Sequence, residues 1–158
     1  MDRVLRRAGS RPARIVTIGV AALATLALAG LAFAGTVRSV AVAKRTVSGK
    51  PATIVVDNRG VTVYELSGES LAKLECVTRV CFNAWPPLKV PSASTRVTAL
   101  EGVPGKVGIF HRVKGGFYQV MLDRHPLYYY SGDKGRSGKV LGQGINSFGG
   151  SWHVVTSG

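Results

Sequence analysis

The sequence predicts an all-β fold: a small antiparallel sandwich or barrel-like sheet built from two related repeats, preceded by one N-terminal hydrophobic helix. Three observations predict it. The first is self-similarity. Residues 62–69 (TVYELSGE) and 126–133 (PLYYYSGD) align so that Tyr64 meets Tyr128, Ser67 meets Ser131, Gly68 meets Gly132 and Glu69 meets Asp133. Each copy is followed by one tryptophan, Trp85 or Trp152, and these are the only two in the chain. Such a repeat implies one supersecondary unit used twice, each copy completing the other's core. The second is composition: 20 glycines, with short runs of Val, Thr and Tyr, favour strands and turns. The third is that β-rich runs bounded by turn residues recur after Gly35, with no convincing amphipathic helix among them.

The N-terminus reads as an export signal. Residues 1–14 carry Arg3, Arg6, Arg7, Arg11 and Arg14 against a single acid, Asp2. Residues 15–35 carry no charge. As a helix at ~1.5 Å per residue they would span about 30 Å, the thickness of a bilayer core. Ala32-Phe33-Ala34 also fits the pattern that precedes a signal-peptidase cut. Signal peptide and membrane anchor both remain open, and both send the rest of the chain out of the cytoplasm with the arginines left inside. No cysteine lies near Ala34, so a lipid-modified cysteine is not the anchor. Residues 36–51 read as a linker or stalk that enters an edge strand near residues 40–42.

The exported domain then spans residues 52–158, with repeat units at about 52–90 and 106–155. Residues 52–57 and 61–66 flank a short Asn/Gly turn, which signals a hairpin. A polar loop holds both cysteines. Residues 84–88 (AWPPL) are not helix interior, because paired prolines lack the N–H and fix φ. Residues 91–104 form a second loop with one short strand around 96–100. Residues 106–113, 117–122 and 126–130 read as a three-strand antiparallel meander. A long Gly-rich loop, 131–150, leads to a closing strand at 151–155.

The formal net charge is +13, and from Gly35 onward 16 Lys and Arg face 7 Asp and Glu. A basic exterior domain is drawn to anionic wall polymers, lipid headgroups or acidic glycans. Nucleic acid is not expected as a partner, since the basic residues are scattered and no nucleic-acid motif appears.

These features together resemble a bacterial family of secreted repeats of unknown function, also described as predicted lipoproteins with a Tyr-x-aromatic-x-x-Asp motif. Residues 128–133 (YYYSGD) match that motif in full. Cys76 and Cys81 followed by 84–88, then 142–144 (GQG) and 149–155 (GGSWHVV), resemble its other segments. The first copy departs from the pattern, with Leu66 at the aromatic position and Glu69 at the aspartate. The cysteines have four intervening residues, one more than the family pattern, and the lipobox is missing. The resemblance implies an envelope or secreted location and no established activity, and it supplies no catalytic residues.

Candidate sites are few. In an exported chain, the single cysteine pair Cys76 and Cys81 implies a disulfide; a redox-active pair or a metal site is the alternative. The repeat residues Tyr64, Gly68, Glu69, Trp85, Tyr128, Tyr130, Gly132, Asp133 and Trp152 read as core and turn. Alternation puts Tyr128 and Tyr130 on one face and Tyr129 on the other. The functional alternative is an aromatic platform for a sugar or quinone-like ring, with Asp133 as polar anchor. His111, His125, His153 and Met121 have ligand chemistry for copper or haem iron, but they stand on different strands, and three separate half-exposed histidines are the plainer expectation. Lys134-Gly-Arg136 and 142–144 lack the strand-loop-helix context of a phosphate loop and read as flexible loop. No serine sits in a G-x-S-x-G elbow. The functional expectation is a non-enzymatic binding or structural module of the envelope with no cofactor, contacting partners through residues 131–150. The alternative is an extracytoplasmic redox or metal-binding protein.

Overall fold

A computed structural model describes residues 38–158. The basic n-region, the apolar segment and the candidate cut after Ala34 lie outside the described residues. The described chain is mostly strand, in line with the all-β expectation. The strands form three open sheets rather than one closed barrel.

The first sheet has the order β2-β1-β5, from β1 (Arg38–Val47), β2 (Lys50–Asp57) and β5 (Val97–Ala99). The linker expected over residues 36–51, with an edge strand near 40–42, is instead strand from Arg38 to Val47. β1 pairs antiparallel with β2 over its length, from Val40 opposite Asp57 to Val47 opposite Lys50. Its other edge pairs with β5, so it is a central strand. The charges that suggested a stalk fit, because side chains alternate: Ala41, Ala43 and Val47 pack on one core while Lys44 and Thr46 are exposed. The β1–β5 pairing is parallel, a departure from the all-antiparallel expectation.

The second sheet has the order β3-β10-β9, from β3 (Tyr64–Leu66), β9 (Asn146–Ser147) and β10 (Gly150–Val154). The expected hairpin at 52–66 closes through Asp57 N–H to Val61 O at 2.9 Å and a bridge between Val56 and Thr62. Beyond it the chain leaves β2 and pairs with β10. In the third sheet, β6 (Val107–Arg112) and β4 (Lys89–Val90) flank β7 (Phe117–Leu122), and β8 (His125–Pro126) pairs with β7 outside that order. The expected third strand of the meander is cut to these two residues, because Tyr128 turns to pair with Tyr64 instead.

One short helix appears where a loop was expected: α1 (Arg79–Ala84), N-capped by Thr78, whose hydroxyl accepts from the Cys81 N–H at 3.1 Å. Trp85 ends it, and Pro86 prevents continuation.

Two cores lie on opposite faces of the central strands. Ile54, Val56, Tyr64, Leu66, Trp152 and Val154 enter the first with Cys76, Cys81, Trp85 and Tyr128. Val55, Val63 and Val155 enter the second with Val40, Leu88, Val120, Leu122 and Leu127. Burial on both faces explains the unbroken apolar runs Ile54-Val55-Val56 and Val154-Val155, which a one-sided strand would interrupt with polar residues.

Candidate functional site

The aligned residues of the two repeats meet across a local two-fold arrangement. Tyr64 and Tyr128 form an antiparallel bridge and exchange both backbone hydrogen bonds, N–H to O at 2.8 and 3.0 Å. Their hydroxyls then cross over. Tyr64 donates to Asp133 Oδ2 of the second copy at 2.6 Å. Tyr128 donates to Glu69 Oε1 of the first at 3.0 Å. Each turn also closes with the same bond, Glu69 N–H to Leu66 O and Asp133 N–H to Tyr130 O, both 3.1 Å.

The tryptophans complete the symmetry. Trp85 and Trp152 stack face to face, centroids 3.9 Å apart and planes 5° apart. Tyr64 meets Trp85 edge-on at 5.6 Å, and Tyr128 meets Trp152 edge-on at 5.1 Å. Tyr130 leans on Trp85 at 4.5 Å. Electrostatics of the rings favour such edge contacts. The aromatic platform is therefore the interior of the protein: Tyr64, Tyr128, Trp85 and Trp152 are all buried.

The acids differ in their partners. Asp133 accepts from Tyr64 and from the Leu141 N–H at 2.9 Å, so it ties down the long loop rather than its own turn. Glu69 is one methylene longer and reaches further: it accepts from the Glu75 and Cys76 N–H groups, Tyr128 and Arg112. Arg112 is fully buried. Its guanidinium donates to Gln119 Oε1 and Tyr128 Oη at 2.6 Å, to Cys76 O at 2.6 Å and to Glu69 Oε1 at 3.0 Å. Cys76 and Cys81 are joined in a disulfide with Cα atoms 5.6 Å apart, inside the first core.

Burial pushes the Tyr64 hydroxyl well above its ordinary range, and the hydrogen bond to Asp133 adds to it. Burial does the same for Tyr128, reinforced by the Glu69 charge. Both hydroxyls stay protonated donors. On the other face, Tyr129 donates to Asp57 Oδ2 at 2.9 Å. Burial pushes Asp57 up, but the Val61 N–H and the Arg59 guanidinium and N–H outweigh it, leaving the carboxyl below its usual value.

The Gly-rich stretch expected to be flexible is pinned. Gly142 lies against the rings of Trp85 and Tyr64, where an added Cβ would stand 2.9 Å from both. Its N–H donates to Tyr64 Oη at 3.2 Å. Gln143 Oε1 accepts from the Val154 N–H, and the Gly144 N–H donates to Trp152 O. Gly68 serves a different need from its counterpart Gly132: it has φ +79°, whereas Gly132 makes room for the Tyr130 ring.

The metal candidates do not gather. His111 packs beside Tyr118, and Met121 lines a shallow surface pocket of about 290 Å³ with Lys106, Gly108 and Asp123. His125 donates its Nδ1 hydrogen to Glu69 O at 2.8 Å. His153 Nε2 lies 3.9 Å from Glu65 Oε2. Among the described residues no three His, Cys, Asp or Glu side chains are placed to hold one ion. Arg112, Gln119, Asp57 and Glu65 were not singled out from the sequence. An arginine two residues from Phe110 on the same face of a strand was the available signal for the first.

Residues 112–156 match a family described as a secreted repeat of unknown function. The matched secreted repeat begins at the buried arginine and ends two residues beyond β10, so it includes the second copy's Tyr128, Asp133 and Trp152. No curated protein and no solved structure matches the chain. Tyr64, Glu69, Trp85 and the disulfide, which supply the other half of the aromatic core, lie outside the matched residues.

Two expected outcomes follow from this geometry. Asp133→Ala leaves the Tyr64 hydroxyl and the Leu141 N–H without their acceptor, and is expected to cost about 2–6 kcal/mol at 1–3 kcal/mol per orphaned donor. Asp133→Ala combined with Tyr64→Phe should cost less than the two changes summed, read from urea midpoints; an additive pair would remove the coupling. Glu65 gives a pH dependence. Burial raises its pKa from 4.5 to about 7, opposed by the His125 charge and reinforced by Asp123. The folded state then holds its proton more tightly than the unfolded chain. Stability is highest below the unfolded value and falls as pH rises toward about 7. Glu65→Gln should flatten the melting temperature over that window, and an unchanged slope would count against this assignment.

Proposed function

We propose that this chain is an exported, non-enzymatic binding module of the cell envelope, and that it meets its partner through the surface loop between Ser131 and Gly150. The observation that carries this reading is the way the repeat residues are spent. Tyr64, Tyr128, Asp133, Glu69 and both tryptophans bond and stack on one another in the interior. Their outward product is a loop anchored at both ends, by Asp133 to Leu141 and by Gln143 to Val154, whose residues 134–139 are all exposed. A rigid base under an exposed loop is the arrangement by which scaffolds present contact residues. The match to a secreted repeat supports the extracytoplasmic location. Retention on the membrane through residues 15–35 is part of the proposal.

The test is replacement of residues 134–139 by neutral Gly and Ser. Stability should change by no more than about 0.5 kcal/mol, as for a surface change away from buried features. Adsorption to isolated bacterial envelopes should drop. Undiminished adsorption with an intact fold would refute the loop's role. The rival, a metal or redox protein, draws on the His153–Glu65 pair, with His125 close enough for its charge to act on Glu65; a stoichiometric metal in purified protein, lost in His153→Ala, would favour it.

A further inference from the structure

The loop carries a chemical pattern that deepens the proposed function and rests on it. Lys134, Arg136 and Lys139 are exposed, with only glycine and serine between them. Among the described residues none of the three has a carboxylate within ion-pair distance. The carboxylate of this segment, Asp133, is buried and turned inward to Tyr64 and Leu141. A further cation borders the loop. Arg45 reaches Gly60 O at 3.2 Å and Ser137 Oγ at 3.5 Å. Thr62, just past the turn at Gly60, donates to Lys139 O at 2.6 Å.

Lys134 has φ +53° and ends the short 3-10 turn Ser131–Asp133, its N–H bonded to Ser131 O. Leu141 is 60% exposed although its neighbour Val140 packs into the first core. A row of unpaired cations next to an exposed leucine matches an interfacial surface, where ammonium and guanidinium groups meet phosphate and an aliphatic side chain enters the acyl boundary. A soluble phosphate polymer would use the cations and leave Leu141 without a role.

We propose that residues 134–141, bordered by Arg45, form a docking surface for a bilayer rich in anionic phospholipid. The cations bind headgroup phosphates and Leu141 inserts below them.

The loop contains its own reporters, because trypsin cuts after Lys134, Arg136 and Lys139. Lys114, exposed in the β6–β7 turn, supplies an internal reference. Full-length chain is reconstituted in vesicles of phosphatidylcholine alone or with phosphatidylglycerol, and cleavage at the loop is measured relative to Lys114 by mass spectrometry. Three cations at a negative surface predict protection of about tenfold or more in the anionic vesicles. Raised salt should abolish it, and Leu141→Ser, which leaves every cleavage site, should weaken it. Equal cleavage in both vesicles overturns the proposal. Equal protection by soluble polyphosphate in neutral vesicles also overturns it, in favour of a wall polymer, while leaving the loop as the binding surface. Undiminished envelope adsorption by the loop replacement would instead defeat the underlying reading.

Discussion

Arg112→Met is expected to lose about 3–5 kcal/mol of stability, because it strands a buried carboxylate. Glu69 is 1% exposed and Arg112 0%. The guanidinium is the only cation bonded to Glu69 among the described residues, and the same group satisfies Gln119, Tyr128 and the Cys76 carbonyl. Arg112→Lys should recover little of the loss, since an ammonium is a point charge and lacks the planar fork that reaches four acceptors. Arg112→Met with Glu69→Gln should recover a large part, because the desolvated charge is then gone. The measurement is the urea midpoint of the four proteins at constant m-value. If the double variant is as unstable as Arg112→Met alone, the loss comes from packing against Phe82 and Phe110 rather than from the charge.

Trp85→Ala is the second large effect. The side chain is 1% exposed, stacks on Trp152, meets Tyr64 and Tyr130, and is the surface against which Gly142 closes. Truncating a buried tryptophan costs about 3–5 kcal/mol from lost transfer energy and the cavity left behind. Two consequences separate this from general destabilisation. The exciton coupling of two stacked indoles, visible by circular dichroism, should vanish. Hydrogen exchange should also rise at Gly142 and Leu141, whose N–H groups bond to Tyr64 and Asp133. Trp85→Phe should retain part of both. A stable Trp85→Ala protein with unchanged exchange in the loop would show that the stack does not hold it.

Much of this was legible in the chain. The repeat at 62–69 and 126–133 announced a paired architecture, and period-two alternation separated Tyr128 and Tyr130 from Tyr129. Local pattern did not disclose how the copies cross. That Tyr64 bonds Asp133 and Tyr128 bonds Glu69 depends on strand pairing between residues 64 apart in sequence. Arg112 was missed for a related reason: a lone arginine in a strand is usually solvated, and only the assembled fold brings Glu69, Gln119 and Tyr128 around it. β1 reads as a linker because Lys44 and Arg45 dilute its apolar residues; in the fold Lys44 is exposed, while Arg45, on the face of Ala43 and Val47, extends to Gly60 O and Ser137 Oγ. The loop at 142–144 read as flexible because glycine suggests freedom. Here Gly142 is instead the one residue thin enough to lie on two aromatic rings.

The position of β1 has a consequence for where the chain can be shortened. The strand lies in the middle of its sheet, paired with β2 from Val40 to Val47 and with β5 from Arg38 to Val40. A fragment that begins at Ala52 would lose that middle strand and with it Val40 from one core and Ala41, Ala43 and Val47 from the other. It would also bare the facing edges of β2 and β5, two rows of unpaired N–H and C=O groups that invite pairing with another chain. The smallest piece expected to stay monomeric therefore begins no later than Arg38.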